Sequence, residues 1–558
     1  MLLTSCARKD KFATFVDGYF DAANRWHPTR AVENGFHAYD SLIEERSPSA
    51  HNKRMRALRI HLTDLEALRK EGLTPEQTID ADMIEAAVRA ELFDIAELKT
   101  WQSNPMEYAS IPGSAMDAVM KRNFAPAPER VKAAIVRLKG VPPLMTALRD
   151  VTLNPPPEFT ELAITIAEGT VPFLKNEVAK WAHDALKDDA GQRYIFDQAN
   201  QTAINSIEDT VTWMKTELRP RSKGDFRLGK EAYAKKLLYE EMVDIPLDRL
   251  LAIGEQQLER DYQELLTTAR KLNPAAKPEE TVRHISDDHP QPDQLVAGAK
   301  ATLEQTRQFL IDHNIVTVPS EVRPIVEETP SYARSGSFAS MSSPGAFETK
   351  ATEAYFFVTP VEPGWTTEEK DLHLRLFNPA VMKLIAIHEA FPGHFLQFLY
   401  SPKFPTKTRK LLDAASNAEG WAHYAEQMML EEGFGAGDLK IRIAQLQEAL
   451  IRNCRYIAGI KMHTQGWTVE QATQLFMDKT LYGRPVAYPE ARRGTFDPTY
   501  LYYTLGKLMI YKLRDDYKAA KGSAYSLKAF HDEFVKQGSA PLKLVRRVML
   551  GADKGPLL

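Results

Sequence analysis

The sequence has little cysteine, since Cys6 and Cys454 are its only two. Two cysteines cannot build a disulfide framework or a cysteine-rich metal site, so a bound metal would need His, Asp or Glu ligands. The sequence also lacks a run of about 18 apolar residues, which argues against a transmembrane span. It lacks a long basic block, because 71 Lys and Arg stand against 75 Asp and Glu, for a net charge of −4. Nucleic acid is therefore not an expected partner.

The first residues carry a short pattern, Leu3-Thr4-Ser5-Cys6, that resembles the lipobox at which bacterial lipoproteins are cleaved and lipidated. Short patterns of this kind also arise by chance. Two interpretations stay open. A true lipobox predicts a lipid anchor at Cys6 and a periplasmic or membrane-anchored protein, whereas a chance pattern leaves a cytoplasmic protein.

Helical periodicity covers most of the chain and predicts a mainly α fold, because apolar residues recur three and four apart. Between Ile315 and Pro360 the helical periodicity stops. The β-branched and aromatic residues of Val316–Val318 and Tyr355–Thr359 predict a small β-sheet. Helical periodicity returns at Glu368. We expect an N-terminal helical scaffold at residues 1–314 and a catalytic half at residues 315–558, with one continuous domain as the alternative. The predicted N-terminal helices are residues 53–70, 75–98, 128–149, 158–186, 190–218, 230–272 and 293–313.

The sharpest motif is His388-Glu389-Ala390-Phe391-Pro392-Gly393-His394. In an H-E-x-x-H helix the two histidines share a face and bind zinc, while the Glu acts on water. Here the histidines are six apart, and a regular helix would turn them ~240° from each other. Proline lacks an N–H and glycine permits unusual φ, so we expect a kink or bulge that swings His394 back. The alternative is a core helix that ends in a Pro-Gly turn with two incidental histidines.

A second helical segment, Asn417–Glu426, offers the third ligand. Catalytic zinc takes three protein ligands and keeps one position for water, and Glu419 would complete a His2Glu set around one zinc ion. Glu426 and His423 lie on the same helical face as Glu419, at seven and four residues' distance. We expect a carboxylate, Glu426 or Asp413, to accept a hydrogen bond from a ligand histidine. The alternative is a solvated Glu face on an amphipathic helix.

The motifs H-E-x-x-P-G-H and E-G-W-A-x-Y-x-E together resemble the bacterial domain-of-unknown-function 885 family, regarded as zinc metallopeptidases related to the gluzincins. The resemblance implies a mostly helical, two-lobed body around a deep channel. It also implies zinc on His388, His394 and Glu419, with Glu389 as the base. Weaker resemblance extends over Arg30–Gly35, Ser343–Gly345 and Tyr503–Leu508.

One segment departs from the family pattern. Members often show P-G-Q-A before a late Y-x-x-G, whereas this chain has Pro498-Thr499-Tyr500-Leu501, which puts substrate contacts there in doubt. Tyr503 occupies the Y-x-x-G position and is the preferred oxyanion donor, with Tyr500 as a further substrate-binding candidate. Packing is the more usual role of such tyrosines.

Arginines near this segment are candidates for binding a substrate carboxylate. Arg492, Arg493 and Arg334 could each form bidentate hydrogen bonds with it, although most arginines are simply solvated. The predicted strand Glu353–Thr359 could pair with an extended peptide, or could serve as a plain structural hairpin.

These patterns predict a zinc-dependent hydrolase of peptide-type amide bonds. The channel that the resemblance implies would favour short peptides, and a different amide, such as an acyl-amino acid or a cell-wall fragment, stays open. In this mechanism Glu389 assists the attack of zinc-bound water, and Tyr503 stabilises the oxyanion. The competing class is a non-enzymatic lipoprotein or binding module with a structural zinc site. A serine hydrolase ranks last because the sequence has no G-x-S-x-G turn.

Overall fold

Helix dominates the computed structural model of the protein, which describes residues 10–330, 334, 338–551 and 555–558. The predicted mainly α fold with a small sheet is confirmed. Among the described residues, every helix is too short or too polar to cross a bilayer. The predicted lipid anchor at Cys6 lies outside the described residues.

The described chain forms two units. The first runs up to Asp225 and also includes Pro344–Thr352 and Thr406–Leu412. The second comprises the rest, and it begins at Phe226. The predicted division near Asn314 therefore falls inside the second unit.

Helix ends in the first unit follow local sequence signals. Ser47 accepts a hydrogen bond at the start of one helix, and Gly72 ends that helix with a φ of +96°. Thr74 and Gln77 form a reciprocal capping box at the start of the next helix. The helices are α1 Lys11–Trp26, α2 Pro28–Glu33, α3 Pro48–Glu71, α4 Pro75–Phe93, α5 Thr100–Ser103, α6 Met106–Met120, α7 Ala127–Lys139, α8 Val141–Val151, α9 Pro157–Pro172, α10 Ala179–Ala185, α11 Ala190–Trp213, α12 Arg219–Arg221 and, later in the chain, α20 Lys407–Leu411.

The second unit packs long helices around a buried centre, and the metal-site motifs lie on three of them. Gly420 and Gly506 let two of its helices approach closely, because a Cβ at Gly420 would lie 2.6 Å from the Cα of Gly506. The helices are α13 Lys230–Glu241, α14 Leu247–Leu272, α15 Pro278–Ile285, α16 Leu295–Asp312, α17 Thr367–Arg375, α18 Pro379–Glu389, α19 His394–Tyr400, α21 Ala415–Glu431, α22 Leu439–Gln465, α23 Val469–Thr480, α24 Arg484–Phe496, α25 Tyr502–Lys521, α26 Leu527–Val535 and α27 Leu542–Leu550.

A three-stranded sheet of β1 Ile325–Glu328, β2 Ala339–Ser342 and β3 Tyr355–Val358 belongs to the second unit. The strand order is β1-β3-β2, with β1 parallel and β2 antiparallel to β3. The predicted strand Tyr355–Thr359 is thus the central strand β3. The expectation that it could pair with a peptide is wrong, because both of its edges are already hydrogen-bonded to neighbouring strands.

The segment Val316–Val318, predicted as a strand, is irregular. The backbone N–H and the hydroxyl of Thr317 both donate to the carboxylate of Asp532 on α26, each at 2.7 Å. Its β-branched residues favour extended backbone. The hydrogen-bond donors of Thr317 are therefore satisfied by a side chain of α26 rather than by a neighbouring strand.

Candidate metal centre

The three predicted ligands meet in the second unit. His388 lies next to the end of α18, His394 is the first residue of α19, and Glu419 lies on α21. The Nε2 atoms of His388 and His394 lie 3.4 and 3.5 Å from Oε2 of Glu419. One ligand atom of each residue lies within 4.8 Å of the other two. Separate helices thus present three donors to one point.

The break between α18 and α19 brings His394 back towards His388. The expected kink is a complete interruption, since α18 ends at Glu389 and α19 begins at His394. The N–H of Gly393 donates to the carbonyl of Ile387 at 2.9 Å. A Cβ at Gly393 would lie 1.7 Å from the carbonyl oxygen of His388, so only glycine fits. The two imidazole rings lie 5.0 Å apart and nearly perpendicular.

The Glu419 carboxylate is suited to binding a cation. Its Oε2 is buried and has no hydrogen-bond partner among the described residues. Burial alone would raise the pKa of Glu419, but the charge of His394 and the contact with His388 hold it well below its usual range. Because a buried carboxylate oxygen without a hydrogen bond is costly, a cation bound at this point would stabilise it. Two imidazole nitrogens and a carboxylate oxygen form the His2Glu donor set of catalytic zinc.

Glu389, the predicted base, is buried beside the triad. Burial raises its pKa, although His388 and His394 act in the opposite direction. The backbone N–H of Met341 on β2 donates to its carboxylate. Because Thr359 N–H donates to the Phe338 carbonyl, alternation along β2 directs the N–H of Met341 away from β3. The outer edge of the sheet therefore faces the Glu389 carboxylate.

A second carboxylate lies behind His388. The Nδ1–H of His388 donates to Oε1 of Glu426 at 2.7 Å, as predicted for a carboxylate partner. Although burial opposes ionisation, Arg452 and His423 hold the pKa of Glu426 well below its usual range. His423 lies on the far side of Glu426, with Nδ1 3.2 Å from Oε2. The other candidate, Asp413, is exposed and precedes α21, so the structure favours Glu426.

Tyr503 is nearly buried among three arginines. The guanidinium carbons of Arg452, Arg455 and Arg493 lie 6.0, 4.9 and 5.7 Å from its ring centroid. Arg493 also donates to the Tyr503 hydroxyl at 3.3 Å. Arg452 lies 3.6 Å from Glu426, so one guanidinium links the tyrosine with the carboxylate behind His388. The role of Tyr503 as oxyanion donor stays a prediction.

The remaining predicted substrate residues are placed less favourably. Tyr500 is fully buried, and its hydroxyl has no hydrogen-bond partner among the described residues. Arg493 is paired with Asp497 at 2.8 Å. Arg492 shares a helical face with Tyr488, which is exposed to solvent.

Arg334 is engaged within the sheet region. It donates to the Thr329 carbonyl at 2.7 Å and to the carboxylate of Glu362 at 3.2 Å. These contacts already engage its guanidinium. We therefore do not assign Tyr500 or Arg334 to the site, and the role of Arg492 stays a prediction.

Two contacts at the site were not predicted from the sequence. One is the hydrogen bond from Met341 to Glu389. The other is the indole N–H of Trp421, which donates to the carbonyl of Pro392 at 2.7 Å. Trp421 follows Glu419 within the predicted motif, and a tryptophan beside a ligand in a buried helix is a signal that its N–H needs a partner.

Comparisons with known proteins support the fold. A family model described as "Bacterial protein of unknown function (DUF885)" matches residues 28–549. A solved structure described as a "putative lipoprotein of unknown function" from Shewanella oneidensis is 28% identical, with a TM-score of 0.81, and the match covers 97% of this chain and 99% of that one. A "putative lipoprotein" from Colwellia psychrerythraea is 15% identical, with the same TM-score and coverage, and is similar in fold. No curated protein matches the chain.

Proposed function

The chain belongs to the DUF885 family of bacterial proteins, and from its candidate metal centre we propose that it is a zinc-dependent hydrolase of peptide-type amide bonds. One observation carries the proposal: a His2Glu donor set lies beside a buried carboxylate, that of Glu389. A hydrolytic metal site needs both parts, because the ligands hold the ion and the carboxylate transfers the proton.

The donor set fits zinc chemically. His388, His394 and Glu419 would hold the ion, which when bound supplies Lewis acidity and lowers the pKa of a water molecule. Because Nδ1 of His388 is directed at Glu426, Nε2 is directed at Glu419 and would supply its lone pair to the ion. Among the described residues, the ligand group holds three side chains, one fewer than a closed structural site requires.

Glu389 would act first as the base and then as the acid. Its carboxylate takes a proton from the attacking water as the new C–O bond forms, then delivers that proton to the amine nitrogen as the C–N bond breaks. Burial raises the pKa of Glu389, which favours the protonated form that it needs when it acts as the acid. The N–H of Met341 keeps the carboxylate oriented. Tyr503 is our candidate for the oxyanion donor.

Limited exposure of the triad favours small substrates. The side chains of His388, His394 and Glu419 are 10%, 22% and 27% exposed. A short extended chain can reach partly buried ligands more readily than the rigid surface of a folded protein can. We therefore propose short peptides, with other small amides such as acyl-amino acids as the second choice.

A non-enzymatic binding module with a structural zinc is the competing function. Such a site needs no buried base and normally recruits a fourth ligand. In such a site Glu389 would have no function, although burying its carboxylate costs free energy. The catalytic interpretation gives this residue a role.

The test is a digest of a mixed peptide library by the purified protein, analysed by mass spectrometry. We expect cleavage of short peptides that stops with a zinc chelator and returns when zinc is added back. Digests should be run beside a Glu389→Gln sample, so that a contaminating protease is recognised. Cleavage that is equal in both samples, or that ignores the chelator, contradicts the proposal.

A further inference from the structure

Trp421 connects the two segments that carry His394 and Glu419. Its side chain is fully buried on α21, two residues after Glu419. Its indole N–H donates to the carbonyl of Pro392 at 2.7 Å. Pro392 in turn lies two residues before His394, within the break between α18 and α19. One hydrogen bond therefore spans the gap between the second and third ligands.

The indole is held in place by its own surroundings. Its ring stacks on Phe534 of α26, with centroids 5.2 Å apart and planes 19° apart. The ring of His531 meets it edge-on at 5.4 Å, and Tyr424 lies 5.6 Å away. Aromatic contacts on several sides restrict its rotation. The direction of the indole N–H is thus fixed by α26 as well as by α21.

The Pro392 carbonyl depends on this donor. Pro392 lies in an irregular segment, where no α-helical ladder supplies a partner for its oxygen. A buried carbonyl left without a donor is costly, so the segment would move to find another. Such a movement shifts His394, because Gly393 alone separates it from Pro392. The helix that carries Glu419 cannot follow, since Gly420 packs directly against Gly506.

We propose that Trp421 is a positioning residue, whose indole N–H sets the position of His394 relative to Glu419 and thereby the affinity of the site for zinc. This inference rests on the proposed zinc site. It assigns Trp421 no contact with substrate. Outer residues that orient metal ligands typically contribute 10- to 100-fold in metal affinity.

The test compares Trp421→Phe with Tyr424→Phe. Phenylalanine at 421 keeps an aromatic ring but has no N–H for the Pro392 carbonyl. Tyr424→Phe is a matched control on the same buried helix. It keeps the ring beside the indole and loses hydrogen bonds to His531 at 2.8 Å and Arg514 at 3.2 Å, while the Ile315 carbonyl still holds His531 at 2.9 Å. Zinc affinity is measured by competition with a chelator, and the visible absorption of the cobalt-substituted proteins reports ligand geometry.

We expect Trp421→Phe to bind zinc about 10- to 100-fold more weakly and to change the cobalt spectrum. Tyr424→Phe should keep both wild-type values, even if its thermal stability falls. Wild-type zinc affinity and an unchanged cobalt spectrum in Trp421→Phe would overturn the inference while leaving the proposed function intact. Equal losses in both variants would also overturn it, since they would reveal a general packing effect.

Two further outcomes remain decisive. If Trp421→Phe does not fold, Phe534→Leu keeps the indole N–H but removes the ring stacked on it, and we expect a smaller change of the same sign. An unchanged cobalt spectrum in that variant would contradict the inference. If the wild-type protein binds no zinc, the proposed function and this inference fail together.

Discussion

His388 and Glu426 are joined by a 2.7 Å hydrogen bond, although 38 residues separate them in the sequence. Glu426 is almost completely buried, so its negative charge needs partners. It finds them in His388, His423 and Arg452. The bond directs Nδ1 of His388 at Glu426 and Nε2 at Glu419, so Nε2 is the nitrogen that could bind a metal. The carboxylate behind the site therefore determines which nitrogen faces Glu419.

The first prediction concerns this carboxylate. Glu426→Gln keeps the shape and one acceptor oxygen but loses the charge that polarises His388. We expect zinc affinity to fall about 10- to 100-fold, measured by chelator competition. Glu431→Gln, at a more exposed position of the same helix, is the control and should bind zinc normally. Unchanged affinity in Glu426→Gln would mean that the charge of Glu426 has no influence on the ligand.

The second prediction separates metal binding from proton transfer. Glu389→Gln retains the volume of the side chain but cannot accept the water proton. Zinc content should stay at the wild-type level, while peptide hydrolysis falls about 10²- to 10⁴-fold. Metal analysis and initial rates on the same preparations check it. Hydrolysis within about threefold of wild type would show that Glu389 is not the base.

The third prediction concerns the break before His394. In Gly393→Ala the added Cβ would lie 1.7 Å from the His388 carbonyl oxygen, a distance that the backbone can relieve only by moving. We expect zinc affinity to fall sharply. Gly298→Ala on α16 is the matched control and should bind zinc normally, because an added Cβ there would meet nothing within 4 Å. Equal zinc affinity in Gly393→Ala and wild type would show that the geometry of the break is incidental.

The fourth prediction concerns pH and Glu241 on α13. Backbone N–H groups of Ala415 and Ser416, at the start of α21, donate to its buried carboxylate at 3.2 and 2.9 Å. Burial raises the pKa of Glu241 from 4.5 to about 7. The folded protein thus holds this proton more tightly than the unfolded chain does. Its contribution to stability is greatest below pH 4.5 and decreases as pH rises towards about 7.

Glu241→Gln removes this titration. We expect the thermal midpoint of wild type, relative to that of the variant at the same pH, to decrease between pH 4.5 and about 7. Calorimetry or circular dichroism across this range measures the difference. A difference that stays constant, or that grows with pH, would contradict the assigned direction.

Local sequence patterns predicted that the three candidate ligands would group together. The contacts between distant parts of the fold could not be predicted in this way. The sequence identifies His388, His394 and Glu419 as candidates, because the ligand spacing and the Pro-Gly break involve residues that lie close together in the chain. The bond from Trp421 to Pro392 depends on how α21 packs against the broken helix, and no local pattern specifies that arrangement. The same holds for Met341 and Glu389.

The sheet shows the same limit. Aromatic and β-branched residues predicted the strand at Tyr355–Thr359, but its central position depends on two partners from elsewhere in the chain. Val316–Val318 has the composition of a strand and is irregular because Asp532 takes the donors of Thr317. The phenol of Tyr500 made it a candidate for substrate binding, but its side chain is buried. Tertiary packing overrides local preference in each case.

The central claim is that these three ligands hold a hydrolytic zinc, and one titration tests it most directly. Chelator-treated protein is titrated with zinc while bound zinc and peptide hydrolysis are measured on the same samples, with His394→Ala in parallel. We predict that hydrolysis rises in proportion to bound zinc and saturates at one ion per chain, and that His394→Ala gains neither zinc nor activity. Hydrolysis that is independent of bound zinc, or full zinc binding by His394→Ala, would contradict the account.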